Sequence, residues 1–169
     1  MNVIICNEQG EGIGVCEKVK AHKEGLLHKA FSVYIFRNSG KELLVQRRSS
    51  EKMLWPGYIA NTCCSHEIDA EDVVVTAKRR LNEEMGFTCF DLKLAGNFVY
   101  LAEDPSGEGS EHEYLSILVG EVGDIEILED PSEVSEWKWV EVDDLLVDME
   151  KGSEKYAPWF VQGIGLSKS

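Results

Sequence analysis

Residues 111–119, EHEYLSILV, place Glu111, Glu113, Leu115, Ile117 and Val119 at alternate positions. A period of two is the mark of a β-strand, and an apolar set with that period belongs to a buried sheet face. Two carboxylates therefore stand in register with a core. Either the end of the strand projects past the core, or the carboxylates are enclosed together. Like charges tolerate enclosure only with a proton or a cation between them.

The remaining sequence supplies the rest of a sheet. MNVIIC and IGVCEKV flank NEQGEG, and FSVYIF and ELLVQRR flank RNSGK, so two hairpins are expected in the first third. GYIANTCC is short and half-apolar, LKLAGNFVYLA and EYLSILVGEV read as strands joined by EDPSGEGS, and EWKWVEV reads as another strand. DAEDVVVTAKRRLNEEMG reads as a helix, with Asp69 as N-cap, Glu71 and Asp72 in its first turn and Gly86 just past its end. VDDLLVDMEKG and APWFVQGIGL read as two closing helices. This order predicts an α/β (α+β) fold, a mixed sheet with helices packed on its faces. With 169 residues, a single domain over 1–169 is expected.

Bulk properties narrow the function. Hydrophobic residues make up 43% of the chain and charged residues 28%, which is ordinary globular composition. No apolar run reaches membrane-spanning length, so no membrane role is expected. The N-terminus has no basic region ahead of a long apolar stretch and does not read as a signal peptide. Five scattered cysteines fit reduced thiols in a cytoplasmic protein. A net charge of −14 argues against nucleic acid as a partner. Basic residues nevertheless bracket the cysteines, with Arg47, Arg48 and Lys52 before them and Lys78, Arg79 and Arg80 after. Such a local cluster in an acidic chain suits a small anionic ligand, although Lys18 and Lys52 serve equally well as solvated surface charges.

The 70–85 helix carries its own conflict. Val73, Val74, Ala77, Leu81 and Met85 share an arc of about 120°, with Glu84 inside the arc and Arg80 at its edge. Glu84 is either half of a surface Arg80–Glu84 pair or a buried carboxylate that needs a partner. Of the four histidines, His112 alternates to the face opposite Glu111 and Glu113. His22, His28 and His66 with Glu111 and Glu113 would make a nitrogen- and oxygen-rich set suited to manganese, magnesium, iron or zinc rather than calcium. The stretch NTCCSHE leaves three readings: half of a disulfide, a zinc clip on Cys63, Cys64 and His66, or an active-site thiol. Adjacent cysteines strain a disulfide, and the chain has no C-x-x-C pair to complete a clip.

The stretch from Ser65 to Phe87 resembles a Nudix box, carried by Glu71, Arg79, Leu81, Glu83, Glu84, Gly86 and Phe87. It departs from that box at Ser65, which stands for a glycine, and at Arg80, which stands for a metal-binding glutamate. EKVKAH, LHKAFSVYIF, LLVQRRSSEKMLWPGYIANTCCSHE, YLAEDPSGEGSEHEY and YAPWF together resemble the type 1 isopentenyl-diphosphate isomerases, a Nudix-fold family, across nearly the whole chain. Glu67 follows His66 where that family usually has proline.

The resemblance implies a Nudix-like α/β/α sandwich and the isomerisation of isopentenyl diphosphate to dimethylallyl diphosphate in isoprenoid biosynthesis. A Nudix hydrolase of a nucleotide or prenyl diphosphate is the alternative. It further implies that His22, His28, His66, Glu111 and Glu113 hold Mn2+ or Mg2+. Cys64 and Glu113, assisted by Tyr100, would move protons, and Trp159 would face the hydrocarbon end. Lys18, Arg48, Lys52 and Arg80 would grip the diphosphate of a small prenyl substrate, with Glu84 helping to hold a second Mg2+ on it. Cys63 is left as a buried structural thiol.

The chemistry fits those residue types. Moving a double bond by protonation and deprotonation needs an acid and a base on opposite sides. The carbocation-like state between the two needs a neighbour that attracts charge without bonding to it, which an indole face provides.

Overall fold

The computed structural model describes residues 1–168. The elements run β1 (Asn2–Cys6), β2 (Gly12–Glu17), α1 (Lys18–Glu24), β3 (His28–Arg37), β4 (Glu42–Arg48), β5 (Ile59–Ala60), β6 (Cys63–His66), α2 (Val73–Met85), β7 (Lys93–Glu103), β8 (Ser110–Glu121), β9 (Val134–Glu141), α3 (Val142–Lys151) and α4 (Pro158–Ser167). Among the described residues, no helix is long and apolar enough to cross a membrane.

One nine-stranded mixed sheet organises the chain. Its centre is β3, which pairs with β8 in parallel along one edge. Along its other edge it meets β1, β6 and β4, all antiparallel. β7 extends the sheet beyond β8, and β9 extends it beyond β4. The alternation expected of 111–119 is present: Glu111, Glu113, Leu115, Ile117 and Val119 are all buried.

Side chains from the two faces of β3 divide the core. Ala30, Tyr34 and Phe36 join Leu115 and Ile117 and pack under α3 and α4 through Leu145, Met149, Phe160 and Ile164. Phe31, Val33 and Ile35 face the other way and pack under Ala77, Leu81 and Met85 of α2. Helices thus cover both faces, giving the α/β/α sandwich.

Two sequence expectations are corrected. The second strand ends at Glu17, and Lys18–Glu24 forms a helix that the reading of IGVCEKV as one strand had absorbed. Glu17 caps α1 by accepting the Lys20 N–H at 3.0 Å, and Gly25 closes it in the left-handed conformation. The 73–85 helix is capped by Asp72, which accepts the Val74 N–H at 2.8 Å, and not by Asp69. Ala70, at φ +63°, breaks the right-handed path between these two aspartates, so Glu71 and Asp72 precede the first turn. GYIANTCC, read only as short and half-apolar, carries β5 and the start of β6, with Asn61 and Thr62 between them. At the far end of α2, Gly86 is required by contact as well as conformation. A Cβ there would lie 2.6 Å from the Leu128 carbonyl oxygen, and φ is +76°.

The packing of α2 makes a direct test. Leu81→Ala, at a fully buried position between α2 and the sheet, is expected to cost about 3 kcal/mol in urea unfolding. Val75→Ala on the exposed side of the same helix should change stability by less than about 0.5 kcal/mol.

Candidate active site

Three strand registers assemble the site. His28 of β3 lies opposite Glu113 of β8, and Tyr100 of β7 lies opposite Glu113 from its other side. Paired residues share a face, so Tyr100, Glu113 and His28 form one row. On the other edge of β3, His66 pairs with Ala30 and Cys64 with Ser32, which puts both on that same face. Glu111 stands two residues before Glu113. His22 reaches the cluster from α1, its Nδ1 lying 3.1 Å from the Ser110 carbonyl.

The imidazoles are tightly grouped. Ring centroids of His22 and His28 are 5.0 Å apart, those of His28 and His66 are 5.1 Å apart, and those of His22 and His66 are 5.4 Å apart. His28 Nδ1–H donates to the Leu26 carbonyl at 2.8 Å, which fixes the tautomer and leaves Nε2 as a lone-pair donor. That Nε2 is 3.8 Å from Glu111 Oε2 and 3.7 Å from Glu113 Oε2. His66 Nε2 is 3.7 Å from Glu113 Oε2. Burial holds all three imidazoles below their ordinary range, His22 down to about 4, so they are neutral at pH 7. Burial raises both carboxyls, Glu113 to about 7, and the neighbouring Glu113 charge raises Glu111 further.

These residues fit a metal ion. His28 Nε2, His66 Nε2 and Glu111 Oε2 are buried and have no hydrogen-bond partner among the described residues. Buried polar atoms are rarely left so, and each costs about 1–3 kcal/mol without compensation. Ligand atoms of His22, His28, His66 and Glu111 lie within 4.8 Å of one another. An octahedral ion with bonds of about 2.1 Å separates its ligand atoms by about 3 to 4 Å, so the cluster needs only a small contraction. Neutral imidazoles with carboxylates suit a divalent transition metal or magnesium.

Cys64 occupies a defined hydrogen-bonding position. Asn61, fully buried, donates its amide N–H groups to the Val33 and Cys63 carbonyls, both at 3.1 Å. Its oxygen must therefore face Cys64, and the thiol donates to it at 3.2 Å. Trp159 Nε1–H donates to the same sulfur at 3.2 Å, and Ser32 Oγ is 3.5 Å away. Burial raises the thiol above its ordinary range. Tyr100 donates its hydroxyl proton to Glu113 Oε1.

A cavity of about 660 Å³ is lined by Cys64, His66, Glu111, Glu113 and Trp159 together with Lys18, Lys52, Arg80 and Glu84. The cations there are partly engaged. Arg48, buried, gives Nε and Nη2 to the Leu54 and Trp55 carbonyls. Lys52 pairs with Glu133. Arg80 pairs with Glu83 and, at 2.7 Å, with Glu84. Burial lowers the Lys18 ammonium below its ordinary range. Glu84 is both things the sequence allowed, a helix-pair partner and a buried carboxylate, and its second oxygen accepts the Cys63 thiol at 3.0 Å. Cys63 points to the α2 face and Cys64 to the cavity, as strand alternation demands. Sequence reasoning passed over Asn61, Ser32 and Glu133. The signal for Asn61 was its place two residues before adjacent cysteines in a short, half-buried strand.

Mn2+ titration followed by calorimetry should give tight binding to the wild-type chain, weakened more than about 100-fold by His66→Ala, since even loss of outer-shell partners costs up to that much. The chelated protein should show a characteristic pH response. Glu113 has a folded pKa of about 7 against an ordinary 4.5, so the folded state keeps a proton that the unfolded chain has released, and stability falls as pH rises through 7. The histidines act in the opposite sense, losing stability as pH falls from 6.5 toward about 4. Above pH 6.5 only the carboxyl effect remains. Melting temperature of the chelated protein should therefore drop between pH 6.5 and 8, and Glu113→Gln should flatten that drop.

The NUDIX domain family profile matches residues 26–160. An Aliivibrio fischeri protein described as isopentenyl-diphosphate Delta-isomerase is 40% identical over 163 residues, covering 94% of this chain and 90% of its own. A Halorhodospira halophila protein with the same description is 38% identical over 160 residues, covering 94% and 90%. Among solved structures, a Deinococcus radiodurans protein superposes with a TM-score of 0.79 over 100% of both chains at 16% identity. A MutT protein from Methanosarcina mazei gives 0.64 over 80% of this chain and 88% of its own, at 18% identity. These structural likenesses establish the fold, and the sequence relationship establishes the narrower kinship: the chain belongs to the isopentenyl-diphosphate Delta-isomerase family within the NUDIX fold.

Proposed function

We propose that this chain interconverts isopentenyl diphosphate and dimethylallyl diphosphate. The observation that carries this reading is that two proton-carrying groups, Cys64 and Glu113, line one cavity together with Trp159, whose indole N–H donates to the Cys64 sulfur. A proton is delivered to the terminal alkene carbon, and a proton leaves the allylic carbon on the other side. The double bond moves by one position and no atom is lost or gained overall. Cys64 and Glu113 serve as the two proton sites, each able to hold or release one.

Positive charge develops at the tertiary carbon between these steps. Trp159 meets it with a π face that cannot bond to it. That indole is fixed on its N–H side by Cys64 and packed against Trp55, centroids 5.4 Å apart, and Tyr100, 6.5 Å apart. Tyr100 donates to Glu113 and holds that carboxyl toward the cavity.

His22, His28, His66, Glu111 and Glu113 would hold Mn2+ or Mg2+. A divalent ion there supplies charge that neutralises the paired carboxyls and tunes the basicity of Glu113. Lys18, Arg48, Lys52 and Arg80 bind the diphosphate, with Glu84 helping to hold a second Mg2+ on that group. A hydrolase reading is opposed by Arg80, whose guanidinium sits on Glu84 where a Nudix hydrolase places a further carboxylate.

Proton NMR of isopentenyl diphosphate in deuterium oxide, with Mn2+-free Mg2+ buffer, should show dimethylallyl signals and deuterium entry. Release of phosphate without these signals would overturn the reading in favour of hydrolysis. Cys64→Ala should lower kcat by about 10³-fold, within the range for loss of a proton-transferring group, while substrate dissociation constants stay within about threefold.

A further inference from the structure

Trp55 holds a conformation that its side chain disfavours. Its φ is +47°, in the region that favours glycine, and it directly precedes Pro56. A bulky residue stays there only where its surroundings over-determine it. Two side chains from distant segments do so. Asp104, in the turn after β7 and 5% exposed, accepts the Trp55 N–H at 2.7 Å through Oδ1. Arg48, at the end of β4, donates Nε to the Trp55 carbonyl at 3.1 Å. Asp104 is itself tied down, because its Oδ2 accepts the Ser106 N–H at 3.0 Å and the Ser106 hydroxyl.

The clamped residue touches the active site. The Trp55 ring meets Trp159 edge-on, with an interplanar angle of 89°, and the Arg48 guanidinium lies 5.0 Å from the centre of the Trp159 ring. Trp159 in turn donates to the Cys64 sulfur. A continuous path of contacts therefore runs from Asp104 through Trp55 and Trp159 to the thiol.

We propose that Asp104 is a positioning residue for the isomerisation: by pinning the strained Trp55 backbone it fixes the tilt of the Trp159 indole over the reacting carbons and the hydrogen bond from that indole to Cys64. This inference rests on the isomerase reading for its kinetic consequence but not for its structural one. Asp104 does not line the cavity and makes no direct contribution to proton transfer. Of the diphosphate grip, Lys18 and Arg80 lie on other segments, whereas Lys52 is three residues before Trp55 and Arg48 holds the Trp55 carbonyl, so loss of the clamp acts first on the chemical step and to a smaller degree on substrate binding.

The test uses the full chain, three substitutions of Asp104, and Trp159→Phe for signal assignment. Asp104→Ala should lower kcat roughly 10- to 100-fold, the scale of a small misplacement near the reacting atoms, with KM changed by a smaller factor than kcat. Asp104→Asn keeps an oxygen for the Trp55 N–H and should recover most of that loss. In nitrogen–proton spectra without substrate, the Trp159 indole N–H signal, assigned by its disappearance in Trp159→Phe, should shift in Asp104→Ala and hold its place in Asp104→Asn. The indole signals of Trp137 and Trp139 should stay fixed in both. If Asp104→Ala does not fold, Asp104→Glu, which keeps the charge and displaces the oxygen, should give the same kinetic loss and indole shift. An unmoved Trp159 signal with wild-type kcat in Asp104→Ala or Asp104→Glu would overturn the proposal. A wild-type chain that fails to isomerise its substrate would instead overturn the isomerase reading, and the indole shift would still decide whether the clamp exists.

Discussion

Nine consecutive residue pairs join β3 to β8 in parallel, and the first of them, His28 with Glu113, sets the register of everything else in the cavity. A slip of one residue would turn Glu111, Glu113, Leu115, Ile117 and Val119 away from their face and bring His112, Tyr114 and Ser116 in their place. The apolar members of the set hold the register, because Leu115 and Ile117 are almost fully buried under α4. The charged members exploit it. Core packing at one end of the strand thus fixes the position of two carboxylates at the other end to within a rotamer. A parallel pair needs a long crossover, and here the crossover delivers β6 and α2 on its way, so the strands that carry His66 and Cys64 arrive already ordered.

Alternation also resolves the paired cysteines. Neighbouring residues on β6 point to opposite faces, which gives Cys63 to the α2 side and Cys64 to the cavity. The two thiols then have different partners, Glu84 for Cys63 and Asn61 with Trp159 for Cys64. Asn61 connects them, since its amide donates to the Cys63 carbonyl while its oxygen accepts from the Cys64 thiol. One short strand therefore links the Nudix-like helix to the reaction face without any covalent bond between the sulfurs.

Much of this was legible. Period-two alternation put Glu111 and Glu113 on the core face of their strand without deciding whether they are enclosed, and the helical arc left Glu84 open between a surface pair and a buried carboxylate. What escaped reading did so for definite reasons. α1 has only seven residues, too few for a hydrophobic period, and its cap is a glutamate rather than a usual capping residue. The choice between Asp69 and Asp72 depended on the left-handed backbone of Ala70, which nothing in its side chain announces. The Lys52–Glu133 pair joins positions 81 residues apart and follows from the sheet order, not from local sequence. Asp104 sits in a turn rich in glutamate, serine and glycine, where an acidic residue is unremarkable until its partner is known.

Charged groups of both signs share the cavity wall. It carries Lys18, Arg48, Lys52, Arg79 and Arg80, and against them Glu51, Glu84, Glu111, Glu113 and Glu133. Lys52 and Arg80 are already committed to Glu133 and Glu84, and burial favours the protonated forms of Glu111 and Glu113. In the proposed reaction, a divalent ion held by the histidine cluster would offset the charge of Glu111 and Glu113, and Glu84 would be free to help hold a second one if Arg80 turned toward the diphosphate. On that reading, Arg80 in place of a Nudix-box glutamate gives the helix a part in holding the diphosphate, and the proton transfers fall to Cys64 and Glu113.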